Sequence, residues 1–123
     1  MTAYHWSLVL GTVAGVADLL GALVLSANVM APIVEEVLFR GLFYGALRSR
    51  LPAIPAMGFS AAIFMVVHQP FAVWPQIFLL GLFLAWAYER SGSLAAPIAI
   101  HFASNAAVMG YAIGDALLGR ALG

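Results

Sequence analysis

Apolar residues along this chain form five long runs, separated by short stretches that are polar or contain proline. The runs are Leu8–Leu25, Met30–Leu47, Pro52–His68, Trp74–Tyr88 and Leu94–Leu118. Their lengths of 15–25 residues are close to the roughly 17–25 residues that an α-helix needs to cross a bilayer. They show no two-residue alternation, and an open sheet edge cannot be satisfied in lipid. The pattern therefore predicts an all-α, polytopic transmembrane bundle of about five hydrophobic helices.

The runs divide the chain into three parts. We predict an N-terminal transmembrane helix in residues 1–29, a core in residues 30–118 and a short tail in residues 119–123. The tripeptide API occurs twice, at Ala31–Ile33 and at Ala96–Ile98. Because proline is well tolerated in the first turn of a helix, both copies are predicted to mark helix starts.

Composition strengthens the membrane prediction and excludes several kinds of function. Apolar residues make up 64% of the chain and charged residues only 8%, whereas soluble domains carry about 25% charged residues. We therefore expect an integral, multi-pass membrane protein with the lipid bilayer as its surroundings. The formal net charge is zero, which leaves no basic patch for nucleic acid. The absence of cysteine excludes disulfides, thiolate metal sites and a cysteine nucleophile.

Three charged residues nevertheless lie inside the second apolar run: Glu35, Glu36 and Arg40. A charge at the bilayer centre costs roughly 2.5–3.5 kcal/mol on insertion scales, so such residues are candidates for function. Glu36 and Arg40 are four residues apart with the acid first, which favours an ion pair along the helix. Glu35 is rotated by about 100° from Glu36 and has no such partner. Both acids follow Pro32 closely, where the dipole of a helix start would stabilise them.

Further polar residues occur in the later runs. His68 follows Phe64 by one helical turn, and His101 and Asn105 share a helix face because they are four residues apart. To avoid lipid, these side chains and Glu35 must face the single interior of a small bundle, where we expect them to converge. A glutamate and a histidine can polarise a water molecule, while a second histidine and an amide can donate hydrogen bonds to an oxyanion.

The same residue types allow a second chemistry. Glu35, His68 and His101 could instead form a His₂Glu zinc site with an open fourth position. Spacing does not separate the two possibilities, and the H-E-x-x-H pattern of many zinc proteases is absent.

Taken together, the polar residues form three motifs on separate apolar runs. They are EEVLFR (Glu35, Glu36, Arg40), FMVVH (Phe64, His68) and HFASN (His101, Asn105). In these motifs, and in the connecting stretch YERSGSLAAPIAIHFASN, the chain resembles the CAAX protease and bacteriocin-processing (Abi) family of intramembrane proteases, which are relatives of the type II CAAX prenyl endopeptidase. The resemblance covers about Met30 to Leu118. Before the first motif the chain has one apolar run, where family members commonly have more helices.

The resemblance implies hydrolysis of a peptide bond in a membrane-associated peptide or protein. Glu35 and His68 would activate the attacking water, and His101 and Asn105 would form the oxyanion hole. This mechanism is metal-free and needs no cofactor, with zinc dependence as the alternative.

The resemblance also assigns supporting residues and a location. Glu36, Arg40 and Phe64 would give the site its structural support. The protein is expected in the plasma membrane of a prokaryote. A non-catalytic membrane protein, acting in bacteriocin self-immunity or in partner binding, is the alternative from a different functional class.

Overall fold

The computed structural model describes residues 2–68 and 70–122, and every regular element in them is helical. The elements are helix α1 (Ala3–Glu36), a π-helical segment (Val37–Tyr44), helix α2 (Gly45–Arg48), helix α3 (Ala53–Val66), a 3₁₀ turn (Phe71–Val73), helix α4 (Trp74–Ser91) and helix α5 (Ala95–Leu122). The predicted all-α membrane bundle is thereby confirmed. Gly123, at the end of the predicted tail, lies outside the described residues.

The number of helices is smaller than the five apolar runs suggest. Helix α1, the π-helical segment and α2 follow one another without a break, so the first two runs form one continuous helix. Among the described residues, three helical stretches are long and apolar enough to cross a membrane, namely His5–Arg48, Phe71–Ser91 and Ala95–Gly119. Helix α3 is a shorter apolar helix. The bundle therefore has three or four apolar helices.

The two API tripeptides behave differently. Pro97 lies in the first turn of α5, as predicted, but Pro32 lies inside α1. The prediction of a helix start at Pro32 is therefore wrong, and no helix dipole begins there to stabilise the two glutamates. An interior proline costs about 3 kcal/mol. In lipid, however, an interrupted helix would leave several backbone groups unsatisfied, so a continuous helix through one proline is the better solution.

A tight reversal between α4 and α5 brings the last motif back along the bundle. Gly92 ends α4 in the left-handed conformation with φ of 65°, and its N–H donates to the carbonyl oxygen of Tyr88 at 2.8 Å. Glycine adopts this conformation without the steric penalty that other residues meet. Ser93 Oγ then accepts a hydrogen bond from the N–H of Ala95 at 3.2 Å, which caps the start of α5.

Helices α3 and α4 pack closely because small residues lie between them. A Cβ atom at Gly81 would lie 3.1 Å from Ala61 Cα and 3.3 Å from Phe64 Cδ1. Small residues allow this approach of backbones in membrane bundles, where packing replaces the hydrophobic effect as the driving force. Gly81 thus sets the distance between the two helices and the position of Phe64, which is fully buried.

Replacing Gly81 by alanine is expected to destabilise the protein by about 1–3 kcal/mol, because the added methyl group overpacks the contact with Ala61. The measurement is the unfolding free energy in mixed detergent micelles. Gly58→Ala is the matched control, since a Cβ there meets nothing within 4 Å. It should stabilise α3 by up to about 1 kcal/mol. Equal effects of the two substitutions would contradict the packing role of Gly81.

A polar cluster of Tyr44, Arg48 and Glu89, at the C-terminal ends of the first long helix and of α4, joins these two helices. The buried Tyr44 hydroxyl donates to Glu89 Oε2 at 2.7 Å, and Arg48 Nη2 lies 3.0 Å from Glu89 Oε1. Tyr44 also packs against Ala56 and Ala85 in the core. These contacts join the end of the first long helix to α4.

Candidate active site

Glu36 and Arg40 form the predicted ion pair. Arg40 Nη1 donates to Glu36 Oε1 at 3.0 Å, and both side chains are fully buried. Arg40 Nη2 also donates to the carbonyl oxygen of Gly81 at 3.0 Å, and its guanidinium carbon lies 4.5 Å from the centre of the Phe64 ring. The cation is therefore compensated by a carboxylate, a carbonyl and an aromatic face, as a buried charge requires.

His101 is the second partner of Glu36, which the sequence did not indicate. Its Nδ1 atom lies 2.8 Å from Glu36 Oε1, and the imidazole is almost fully buried. Because a carboxylate paired with arginine accepts hydrogen bonds, Nδ1 carries the hydrogen in this contact. Glu36 therefore fixes the orientation of the ring, and the Nε2 atom of His101 faces the other way.

Glu35 lies on the side that His101 Nε2 faces. Its Oε2 atom is 3.5 Å from His101 Nε2 and 3.7 Å from His68 Nε2. These separations bring the three groups together while exceeding the usual length of a hydrogen bond. Oε2 is buried and has no hydrogen-bond partner among the described residues, although the Glu35 side chain as a whole is 28% exposed. A buried carboxylate oxygen of this kind needs a donor from elsewhere.

His68 is oriented by the end of α3. Its Nδ1 atom lies 2.5 Å from the carbonyl oxygen of Phe64, and since a carbonyl only accepts, Nδ1 carries the hydrogen. Nε2 is left as an acceptor directed toward Glu35. The indole N–H of Trp74 donates to the His68 carbonyl at 2.8 Å and so ties down the residue where the helix stops.

Phe64 is the common packing partner of the site. Its ring centre lies 4.5 Å from that of His68 and 5.7 Å from that of His101, in addition to its contact with Arg40. The structure therefore brings together six of the seven residues named from the motifs. They are Glu35, Glu36, Arg40, Phe64, His68 and His101.

Asn105 is the exception. It lies one helical turn beyond His101 on α5, and no hydrogen bond joins it to the other candidates within the described part of the chain. It lines a neighbouring cavity of about 610 Å³ between α1, α4 and α5. The side chain is therefore close to His101 in sequence, but it lines the cavity.

Gly81 and Trp74 support the site although no sequence motif contains them. The Gly81 carbonyl accepts from Arg40, and the Trp74 indole donates to the carbonyl of His68. A signal for Gly81 was present, because Gly81 and Ala85 are small residues four positions apart, a pattern typical of close helix packing in membranes. Both are buried. The hydrogen bond of Trp74 could not have been foreseen, since the sequence gives no indication of which carbonyl an indole reaches.

The described residues contain no group of three or more His, Asp or Glu side chains that could hold a metal ion as they stand. Zinc at Glu35, His68 and His101 stays the alternative prediction. What the arrangement offers directly is a buried carboxylate oxygen flanked by two imidazole nitrogens.

Comparisons with known proteins agree with this picture. Residues 6–107 match the family described as type II CAAX prenyl endopeptidase Rce1-like. The membrane-embedded CAAX protease MroQ of Staphylococcus aureus is 30% identical over 88 residues, which are 67% of this chain and 36% of that protein. The putative membrane peptidase YdiL of Bacillus subtilis is 28% identical over 87 residues, which are 71% of this chain and 36% of that protein. The chain thus spans just over a third of the length of these relatives. No solved structure matches it significantly.

Proposed function

Because the chain belongs to the type II CAAX prenyl endopeptidase Rce1-like family, we propose that it hydrolyses a peptide bond of a membrane-associated peptide or protein, with a water molecule as the nucleophile. Its location is that of an integral, multi-pass protein of the plasma membrane. The observation that supports this proposal most strongly is the convergence of a carboxylate and two imidazoles: Glu35 Oε2 lies 3.5 Å from His101 Nε2 and 3.7 Å from His68 Nε2.

Glu35 and His68 are the groups that would activate the water. A water molecule between them can donate one hydrogen to Glu35 Oε2 and the other to His68 Nε2, because both atoms are acceptors. During attack, the water oxygen forms a bond to the carbonyl carbon of the substrate while its proton passes to the Glu35 carboxylate. General base catalysis of this kind contributes about 10²–10⁴-fold to a rate.

His101 and Asn105 would stabilise the oxyanion that forms in this step. The electrons of the carbonyl bond move to its oxygen, which would accept hydrogen bonds from His101 Nε2, once that nitrogen carries a hydrogen, and from the Asn105 amide, once that side chain turns from the cavity toward the site. When the intermediate collapses, the C–N bond breaks and the leaving amine takes the proton held by Glu35. Such donors act best when they are fixed beforehand, and Glu36 fixes His101 in this way.

The remaining members of the motifs would support the site. Arg40 and His101 share one oxygen of Glu36, so the buried pair holds the ring of His101 as well as compensating charge. The Phe64 ring contacts both Arg40 and His68. The backbone carbonyl of Phe64 orients the imidazole of His68. This division of roles is consistent with Glu36 being fully buried and Glu35 being partly exposed to incoming substrate.

Two quenched fluorogenic probes can test the activity of the purified chain in detergent micelles. The first is a peptide with a farnesylated cysteine followed by three apolar residues, chosen from the family description. The second is an unmodified apolar decapeptide. Release of fluorescence from either probe would support the proposal. Failure to cleave both, together with cleavage by a longer relative under the same conditions, would favour the non-catalytic alternative.

Removal of metal ions is expected to leave the rate of probe cleavage unchanged, because the proposed nucleophile is activated by Glu35 and His68. The measurement compares rates before and after dialysis against a chelator, together with the zinc content of the purified protein. Stoichiometric zinc combined with loss of activity in chelator, and its recovery on adding zinc, would overturn the metal-free mechanism. It would make Glu35, His68 and His101 the zinc ligands.

A further inference from the structure

The cavity next to the site has an unusual lining for a membrane bundle. It has a volume of about 610 Å³, within the range of about 300–1,000 Å³ typical of ligand pockets. Most of its wall is apolar, as at Ile77 and Val108, and none of the described residues that line it is charged. Yet Asn28, Gln76 and Asn105 all line it, and they are the only residues with amide side chains in the described part of the chain.

The three amides come from three different helices, α1, α4 and α5. An amide in apolar surroundings is costly unless it is hydrogen-bonded. Asn28 and Asn105 are half-buried and Gln76 is exposed, so a polar occupant would offset this cost at the two asparagines and could also bond to Gln76. Gln76 and Asn105 make no hydrogen bond among the described residues, while Asn28 Nδ2 donates to the carbonyl of Val24 at 2.9 Å and leaves its oxygen to accept. Ser104 adds a hydroxyl to the same wall.

The missing N–H of Pro32 leaves a further backbone acceptor at Asn28, a residue that lines the cavity. Pro32 has no N–H, so the backbone carbonyl of Asn28, four residues earlier, lacks its usual helical donor. The residues that line the cavity therefore offer uncharged donors and acceptors among apolar side chains. This combination matches a peptide backbone that has been unwound, whose N–H and C=O groups need partners when they leave water.

Resting on the function proposed above, we propose that this cavity binds an extended, uncharged, apolar segment of the substrate next to the scissile bond, with Gln76 and Asn28 holding its backbone. Continuity with the site supports this occupant, because Asn105 lies on the cavity wall one turn from His101. A prenyl chain is the poorer fit, since it would offer no hydrogen-bond partner to Gln76, to Asn105 or to the side-chain oxygen of Asn28.

Binding of a fluorescent apolar decapeptide to the full chain, in the Glu35→Gln background to prevent cleavage, tests this assignment by fluorescence anisotropy in detergent micelles. Gln76→Leu and Asn28→Leu should each weaken binding by about 5-fold, as expected for a lost hydrogen bond. A lysine at the centre of the decapeptide should weaken binding by about 10-fold or more, because the cavity offers that charge no partner. Leu79→Ala is the control, since Leu79 is exposed on α4 and does not line the cavity.

Several results would overturn the assignment. One is the absence of saturable binding of the decapeptide. Others are equal affinities of Gln76→Leu and Leu79→Ala for the decapeptide, or equal affinities of one protein for the decapeptides with and without lysine. A further one is displacement of the decapeptide by N-acetyl-S-farnesylcysteine, together with tighter binding of that lipid to Gln76→Leu. The last result would identify a lipid site. If binding follows the expected pattern while the chain with Glu35 intact cleaves no probe, the proposed hydrolysis fails and the peptide-binding assignment stands.

Discussion

Replacing Glu35 by glutamine should reduce cleavage of the fluorogenic probes by about 10²–10⁴-fold, the contribution typical of a general base. Glutamine keeps the size and hydrogen-bonding reach of the side chain, but its amide cannot take a proton from water. The initial rate of fluorescence release from the purified variant is the measurement.

The same substitution should not destabilise the protein, which separates a catalytic role from a structural one. Glu35 Oε2 is buried and has no hydrogen-bond partner among the described residues, so a neutral amide removes a charge that is costly to bury. We expect an unfolding free energy equal to or above that of the parent. Such a trade of stability for activity is common where a site is built for function.

Glu89→Gln is the matched control, because Glu89 lies in the polar cluster at the far end of the bundle with Tyr44 and Arg48. It should leave the cleavage rate essentially unchanged. An active Glu35→Gln variant would remove Glu35 as the base. A variant that is inactive only because it no longer folds would assign Glu35 to the scaffold.

The second large effect is expected for Arg40→Met, which should destabilise the protein by about 3–5 kcal/mol. Both members of the Glu36–Arg40 pair are fully buried, so removing the cation leaves a buried carboxylate with His101 as its remaining partner. Methionine retains much of the apolar contact with Phe64. The unfolding free energy in mixed detergent micelles measures the loss.

Two further variants test the physical reason. Arg48→Met breaks an ion pair with Glu89 whose side chains are 40% and 27% exposed, and such pairs contribute at most about 1 kcal/mol. In the double variant Glu36→Gln/Arg40→Met no uncompensated carboxylate remains, so it should be more stable than Arg40→Met alone. If Arg40→Met costs no more than Arg48→Met, the buried pair is not what holds this part of the bundle together.

The outline of the site could be predicted from the sequence because transferring a polar or charged side chain into hydrocarbon costs so much free energy. Glu35, His68 and His101 lie on different apolar runs, and the cost of exposing them to hydrocarbon is enough to predict that they converge in the interior. The Glu36–Arg40 pair follows from spacing along one helix, which is a local property. The membrane location and the all-α class follow in the same way, from the length and composition of the runs.

Other features depend on how the helices pack. The residue pattern of a single segment predicted them wrongly or did not predict them. The prediction of a helix start at Pro32 failed because backbone hydrogen bonding in an apolar environment outweighs the local cost of one proline. The contact between His101 and Glu36 joins residues 65 positions apart, and the position of Asn105 on the cavity wall depends on how α5 crosses α1 and α4.

The sequence by itself thus determined which residues must leave the lipid, since transfer into hydrocarbon depends on residue type alone. Only the tertiary structure decided which oxygen meets which nitrogen: Glu36 with His101 and Arg40, and Glu35 between two imidazoles. The reason is that hydrogen bonds are short and directional. Their partners are selected by helix contacts, such as that of Gly81 with Ala61, which no single segment encodes.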